Sequence, residues 1–364
     1  MSEINLINNI SPIKWNEDHL LLLDQRLLPS KEVWVEIRSI EECHKAIKEM
    51  VVRGAPCIGF SAIFGMALWA LRMNSTASAP AYNTYQSAAL FLKSARPTAI
   101  NLAYEVDRCV ALVEKELSKS DRPLSYEGIY NRLVQFGLDE IKLSFNRNLF
   151  MAQTAAEELS RVCNRRALRL MTHCNTGYLA CGTLGTALGV ISYLNSQSRI
   201  EKVWVDETRP YMQGTRLTAY ELGKQSIPHD IVVDGCASYL MSHNLVDAIF
   251  VGADRIVANG DTANKIGTSS LAVIAHHYKI PFYVVAPISS FDLSLETGKS
   301  IEIELRDETE ILCSGERRVA PLGSTALNPS FDVTSSALIT GIICEKGLIK
   351  PDYIKNISKI LQES

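Results

Sequence analysis

ALRLMTHCNTGYLACGTLGTALGVI, residues 167–191, decides the fold. An apolar run stops at Thr172, His173 and Cys174, and small residues with Gly177, Gly182, Gly185 and Gly189 then open a stretch of helical character. This is the outline of a strand, a tight turn and a helix. Four later runs repeat it: VWVDET (203–208), DIVVDG (230–235), DAIFVGAD (247–254) and PFYVVAP (281–287), each followed by helix-like patterning. Continuous apolar runs of this kind suit parallel strands buried on both faces. The C-terminal half is therefore expected to be α/β, a doubly wound, Rossmann-like parallel sheet.

The N-terminal half reads differently. Residues 86–95, 99–118 and 126–161 carry apolar side chains at helical spacing, EVWVEIRS (32–39) is a short strand candidate, and NSTASAPAYNT (74–84) reads as a loop. The segment 126–161 is long enough for a helix linking two domains. The expected division is a mainly helical domain with short strands over 1–145 and a Rossmann-like catalytic domain over 146–364. No internal repeat or low-complexity tract is present.

Composition excludes several function classes. The 364 residues are 47% hydrophobic, enough for a sizeable core. Lys and Arg total 37 against 40 for Asp and Glu, and a net charge of -3 offers no global attraction to nucleic acid or an anionic membrane. The nine cysteines are odd in number, scattered and mostly set in apolar segments, which implies a reducing compartment rather than a disulfide framework. MSEINLINNISPIKW lacks signal-peptide regions, no apolar stretch of transmembrane length is read, and LQES matches no retention tripeptide. The expectation is a cytoplasmic chain, with a nuclear pool left open. The seven histidines form no HxxxH or HExxH, and no CxxC occurs, so no metal is expected.

Ligands of open parallel sheets bind beyond the carboxyl ends of the strands. Here those ends carry Thr172, His173 and Cys174, then Asp206 and Glu207, Asp234, Asp254 and Arg255, and Pro287, Ser289 and Ser290. An Asp after a strand is commonly a cap or turn former. Their convergence on one edge is the stronger signal. Backbone N–H groups of the small-residue turn would lower the pKa of Cys174 and suit an anion, whereas a free cysteine is also a common inert core residue. His173 points to the opposite face if the strand persists, so no Cys–His dyad is read. Neither GxxxxGK[ST] nor GxGxxG occurs. Instead Arg53 sits in the turn of MVVRGAPCIG (50–59), Arg96 precedes Pro97, a candidate first helical residue, and Asn264 and Lys265 precede another helix start. Together they resemble a phosphate clamp drawn from both domains.

The chain resembles the methylthioribose-1-phosphate isomerase family over nearly its whole length. The resemblance is carried by LLDQRLLP (22–29), VRGAPCIG (52–59), RPTAINL (96–102), THCNTGYLA (172–180), GTALGVI (185–191), DETRPYMQGTRLTAYEL (206–222), VGADRIVANGDTANKIGT (251–268) and NPSFDVT (328–334). The fold is shared with regulatory subunits of the translation initiation guanine-nucleotide exchange factor and with an archaeal ribose-1,5-bisphosphate isomerase. The resemblance implies an aldose–ketose isomerase of methionine salvage, free of metal and cofactor, acting on a sugar phosphate as a homodimer. It implies Cys174 and Asp254 as the catalytic pair and Arg53, Gly54, Ala55, Arg96, Gln213, Asn264 and Lys265 as substrate-binding residues. Departures are Cys57 and Thr176, where alanine is common, and a less proline-bearing IEIELRD (301–307).

In such a substrate the anomeric oxygen carries the phosphate, so ring opening needs a push. An Asp254 carboxyl kept protonated by apolar surroundings would supply the proton to the ring oxygen. Hydrogen then moves from C2 to C1, as a proton with Cys174 as base, or as a hydride with Cys174 stabilising charge. Tyr178 or Tyr211 would wall the methylthio end. Asp206 and Glu207 read as supporting or structural groups.

Overall fold

Ile13–Asn16 and the leucine-rich His19–Leu23 pair antiparallel as β1 and β2, and Trp34–Ile37 adds β3 to the free edge of β2. Only β3 was legible from the sequence. In the computed structural model residues 11–74, 84–97, 99–118 and 125–362 are described; they form two compact units, Met1–Asn146 with Tyr178–Gly185, and Arg147–Gly177 with Thr186–Ser364.

The first unit is built on helices. In α1 (Ile40–Lys48), Ser39 caps the first turn by accepting from the Glu42 N–H at 3.2 Å. The following α2 (Ala55–Asn74) is apolar on every face. Such a helix must be buried all round. Among the described residues it is the one helix long and apolar enough to cross a membrane, which corrects the reading that no such stretch exists. Its side chains are instead enclosed by β1–β3, α1, α3 (Tyr85–Lys93) and α4 (Ile100–Ser118), with Phe64 stacked on Trp15 at 4.9 Å. Of the expected loop 74–84, residues 75–83 lie outside the described residues. The helix α4 begins at Ile100, so Pro97 is not its first residue. The 37-residue α5 (Tyr126–Val162) runs out of this unit and supplies Met151, Ala155 and Leu159 to a core of the second.

The second unit carries the expected sheet. Its strands are β4 (Leu168–His173), β5 (Ile200–Asp206), β6 (His229–Val232), β7 (Ala248–Val251), β10 (Phe282–Val285), β15 (Gly341–Cys344) and β16 (Gly347–Ile349). Between them come two hairpin strands, β8 (Arg255–Val257) and β9 (Thr262–Lys265), and the short β11 (Phe291–Asp292), β12 (Cys313–Ser314), β13 (Arg317–Arg318) and β14 (Phe331–Thr334). The large sheet runs β16-β15-β10-β7-β4-β5-β6, parallel except for β16. Helices α6 (Ala187–Ser196), α7 (Ala219–Lys224), α8 (Ala237–Ser242), α9 (Thr268–Tyr278) and α10 (Tyr353–Gln362) cover it. Two separate buried clusters, one containing α6 and one containing α9, mark the two faces. Strands β11-β8-β9-β14 form a smaller sheet.

Candidate active site

Strand order reverses at β4: the chain moves outward through β5 and β6 on one side, then returns to build β7, β10 and β15 on the other. Ligands of such sheets bind at this reversal. The register sets Thr172 of β4 beside Phe250 of β7, so Cys174 and Asp254 follow the carboxyl ends of two adjacent parallel strands.

Cys174 is buried and left-handed, at φ 61, a backbone state that costs a non-glycine residue about 1–3 kcal/mol and must be held by its surroundings. The holding groups are visible. Thr218 Oγ1 donates to the Cys174 carbonyl at 2.6 Å, and Asn175 Nδ2 donates to Thr218 Oγ1 at 3.1 Å and to Glu221 Oε1 at 2.8 Å. Asn175, Thr218 and Glu221 are themselves buried. Thr218 ends a π-helical turn, Gly214–Thr218, a local widening that recurs at functional sites. The helix expected directly after Cys174 is split: Tyr178–Cys181 is a single turn of the first unit, and α6 starts only at Ala187. The N-terminus of a long helix therefore does not follow the sulfur directly in sequence.

His173 is fully enclosed between two acceptors, Asp206 Oδ2 at 2.7 Å from Nδ1 and the Ile266 carbonyl at 2.9 Å from Nε2. Nε2 carries the hydrogen that the Ile266 carbonyl accepts, and Nδ1 shares a hydrogen with the Asp206 carboxyl. Burial pushes its pKa down, but the hydrogen bond and charge of Asp206, with the Ile266 carbonyl and the Asp332 carboxylate, outweigh this and hold it above the ordinary value. Glu207 accepts from the N–H groups of Thr208 at 2.7 Å and Thr215 at 2.9 Å, fixing the loop that carries Gln213. Gln213 Oε1 and Asp206 Oδ1 are buried with no hydrogen-bond partner among the described residues. Such acceptors invite a donor.

Asp254 opens the β8–β9 hairpin, its N–H donating to the Ala263 carbonyl at 2.9 Å, and its side chain is exposed. This corrects the expectation of an apolar surrounding: the strand ends at Val251 and the buried run at Gly252, two residues before Asp254. Asn264 is buried and donates to Thr268 Oγ1 at 3.0 Å. Lys265 is not a solvated tip, since its ammonium donates to the Ser330 carbonyl at 2.8 Å and lies 4.6 Å from the centre of the Phe331 ring.

In the first unit Arg53 is buried, and Gly54 takes φ 88 against the backbone of Ala180, where a Cβ would lie 2.4 Å from the carbonyl oxygen. Ala55 begins α2, and Arg96 is half-buried in the turn before α4. Tyr178 is buried, and Tyr211 is half-buried with the Arg216 guanidinium 5.0 Å from its ring. Among the described residues no group of three or more His, Cys, Asp or Glu side chains is placed to hold a metal ion.

The sequence reading passed over Asn175, Thr218 and Glu221, and took His173 as a face-alternation matter. Three buried polar residue types within THCNTG and GTRLTAYEL were the available signal, because isolated polar groups are not buried without partners.

Residues 51–351 match the Initiation factor 2 subunit family. A methylthioribose-1-phosphate isomerase of Aquifex aeolicus is 44% identical over 354 residues, covering 96% of this chain and 71% of that protein. The crystal structure of 5-methylthioribose 1-phosphate isomerase from Pyrococcus horikoshii OT3 superposes with a TM-score of 0.89 at 37% identity, over 99% of this chain and 98% of that one. The translation initiation factor eIF-2B subunit delta of A. fulgidus superposes with a TM-score of 0.85 at 35% identity, over 97% of this chain and 100% of that one.

Proposed function

The chain belongs to the Initiation factor 2 subunit family, and from that membership and its relatives we infer that it is an aldose–ketose isomerase converting 5-methylthio-α-D-ribose 1-phosphate to 5-methylthio-D-ribulose 1-phosphate, a step of methionine salvage. The observation that carries the reading is the pairing of Cys174 and Asp254 after adjacent strands at the reversal of strand order.

Asp254 protonates the ring oxygen as the C1–O bond opens. Because its carboxyl is exposed in the unliganded chain, the acid role requires the bound sugar to cover it. Cys174, held in a strained turn by Thr218, is aimed rather than merely present, and acts where hydrogen moves between C2 and C1. Gln213 and Asn264 of the second unit are proposed to bind sugar hydroxyls; the orphan Gln213 Oε1 is a ready acceptor. In the second unit Lys265 is proposed to bind phosphate; in the first, the Arg53–Gly54–Ala55 turn and Arg96 are proposed substrate-binding residues.

A homodimer through the second unit is proposed on the open edge of β6, where Ile231 and the following Val233 are exposed. The proposed setting is the cytoplasm.

The test is phosphorus and carbon NMR of the purified chain with 5-methylthioribose 1-phosphate in deuterium oxide, beside ribose 1,5-bisphosphate. Ketose from the first sugar alone supports the reading. Conversion of the bisphosphate alone would replace the substrate, and silence with both would favour a regulatory subunit. Deuterium at C1 of the product shows that hydrogen moves as a solvent-exchanging proton, and its loss in Cys174→Ser would assign Cys174 as the base; a product with no deuterium supports hydride transfer or a proton shielded from solvent.

A further inference from the structure

We propose that His173 is a positioning residue that clamps the Asn264–Gly267 turn to the ends of β4 and β5, fixing the substrate-binding Asn264 and Lys265 relative to Cys174; the inference rests on the isomerase reading for what the turn binds. The clamp has two arms and a floor. One arm is the Nδ1 contact to Asp206, the last residue of β5. The other is the Nε2 contact to the carbonyl of Ile266, which lies between Lys265 and Gly267 and also accepts from Thr208 Oγ1 at 2.9 Å. The floor is Gly267, at φ 103: a Cβ there would lie 2.8 Å from His173 Cε1, so the ring rests directly on the backbone of the turn. Asp332 of β14 holds the far side by accepting from the N–H groups of Gly267 at 2.8 Å and Ser269 at 3.0 Å.

A polar ring inside the sheet edge is costly to bury unless both its nitrogens are used. Here both are, and one is spent on the backbone of a loop whose side chains have their own ligand-binding chemistry. His173 immediately precedes Cys174, so one residue pair links the thiol turn to the binding turn along the chain. His173 touches no reacting atom in this account; it acts through the turn.

Two amides separate the arms, because an Asn amide nitrogen falls near the position of Nδ1 and a Gln amide nitrogen near Nε2. His173→Asn keeps the arm to Asp206 and releases Ile266; His173→Gln does the reverse. The Asn variant should raise KM by about tenfold or more, in line with the roughly hundredfold losses that 1 Å misplacements cause, with kcat changed much less. The Gln variant should stay within a few-fold of the parent. Hydrogen exchange supplies a readout independent of turnover: the amides of residues 264–269 should lose protection in the Asn variant and keep it in the Gln variant. Both variants are repeated on Asp206→Asn, so that an uncompensated buried carboxylate does not decide the result by unfolding the chain. Unchanged protection of 264–269 in His173→Asn would overturn the clamp whether or not the sugar is isomerised. Loss of protection with no turnover in the parent chain would keep the clamp and overturn only the isomerase reading.

Discussion

The core helix Ala55–Asn74 and the carboxyl edge of the large sheet are both buried, yet they are built from opposite materials. The helix presents apolar and small side chains on every face, and Ser61, its one fully buried hydroxyl, simply donates back to the Cys57 carbonyl at 2.9 Å. The sheet edge buries His173, Asn175, Asp206, Thr208, Gln213, Thr218, Glu221 and Asn264, most of them tied to one another or to backbone. Apolar burial stabilises without regard to direction. Buried polar groups stabilise only in one geometry, so their concentration at one edge marks the place where geometry is used.

That contrast is breakable by mutation. The largest effect belongs to Asp254→Asn, which removes the proposed proton donor: turnover should fall by about 10²–10⁴-fold with the melting temperature nearly unchanged, since the side chain is exposed. Steady-state kinetics and calorimetry on the same sample check it, and a folded variant with normal turnover would remove Asp254 from the chemistry. In the helix the pattern inverts. Trp69→Ala, at a fully buried position, should lower stability by about 3–5 kcal/mol in denaturant titration while turnover per folded molecule stays near that of the parent. A large kinetic defect there would erase the distinction between the regions.

A third change sits at the boundary between the two kinds of effect. Gly267→Ala combines a left-handed φ of 103 with a collision against the His173 ring, so it should cost about 1–3 kcal/mol and raise KM together. Stability lost without any change in KM would mean that the turn is structural only.

The smallest effect is in pH. His173 faces Asp206 of β5 and Asp332 of β14, with Asp234 and Glu207 acting on Asp206. Its pKa in the folded chain is raised above the ordinary 6.5, so the stability His173 gains from Asp206 is present below pH 6.5 while Asp206, itself raised by burial, stays ionised, and is lost as pH rises through the raised His173 value. Thermal denaturation followed upward from pH 6 should show that decline in the parent and not in His173→Asn. Equal slopes would mean that the pair does not change charge on folding.

Five of the parallel strands were legible because apolar runs mark them, most clearly in β4, β7 and β10; β15 was not read, and β6 at the sheet's edge is largely exposed rather than buried on both faces. The long Tyr126–Val162 helix was legible because its periodicity is uninterrupted. The strands β1 and β2 were not: HLLLL carries no alternation, since all but Leu21 are buried. The small sheet was hidden for another reason. Its strands have two to four residues and depend on side-chain brackets such as Asp261, which accepts from the N–H groups of Gly298 at 3.0 Å and Ser336 at 2.9 Å. At the site, Cys174 was visible as a thiol ending a strand, but its left-handed backbone and the Thr218–Asn175–Glu221 support are contacts across more than forty residues of chain. Asp254 follows a strand as expected, but it is exposed rather than set in apolar surroundings, because an apolar run predicts burial only of itself.

The most direct measurement is turnover of 5-methylthioribose 1-phosphate by Cys174→Ser beside the parent chain, with hydrogen exchange at residues 171–177 recorded on both. The account predicts unchanged protection of the turn and a loss of turnover of about 10²-fold or more, because only the sulfur has been altered. Parental turnover by a serine variant with the turn intact would contradict it, and would leave Cys174 as a strained core residue with no part in the chemistry.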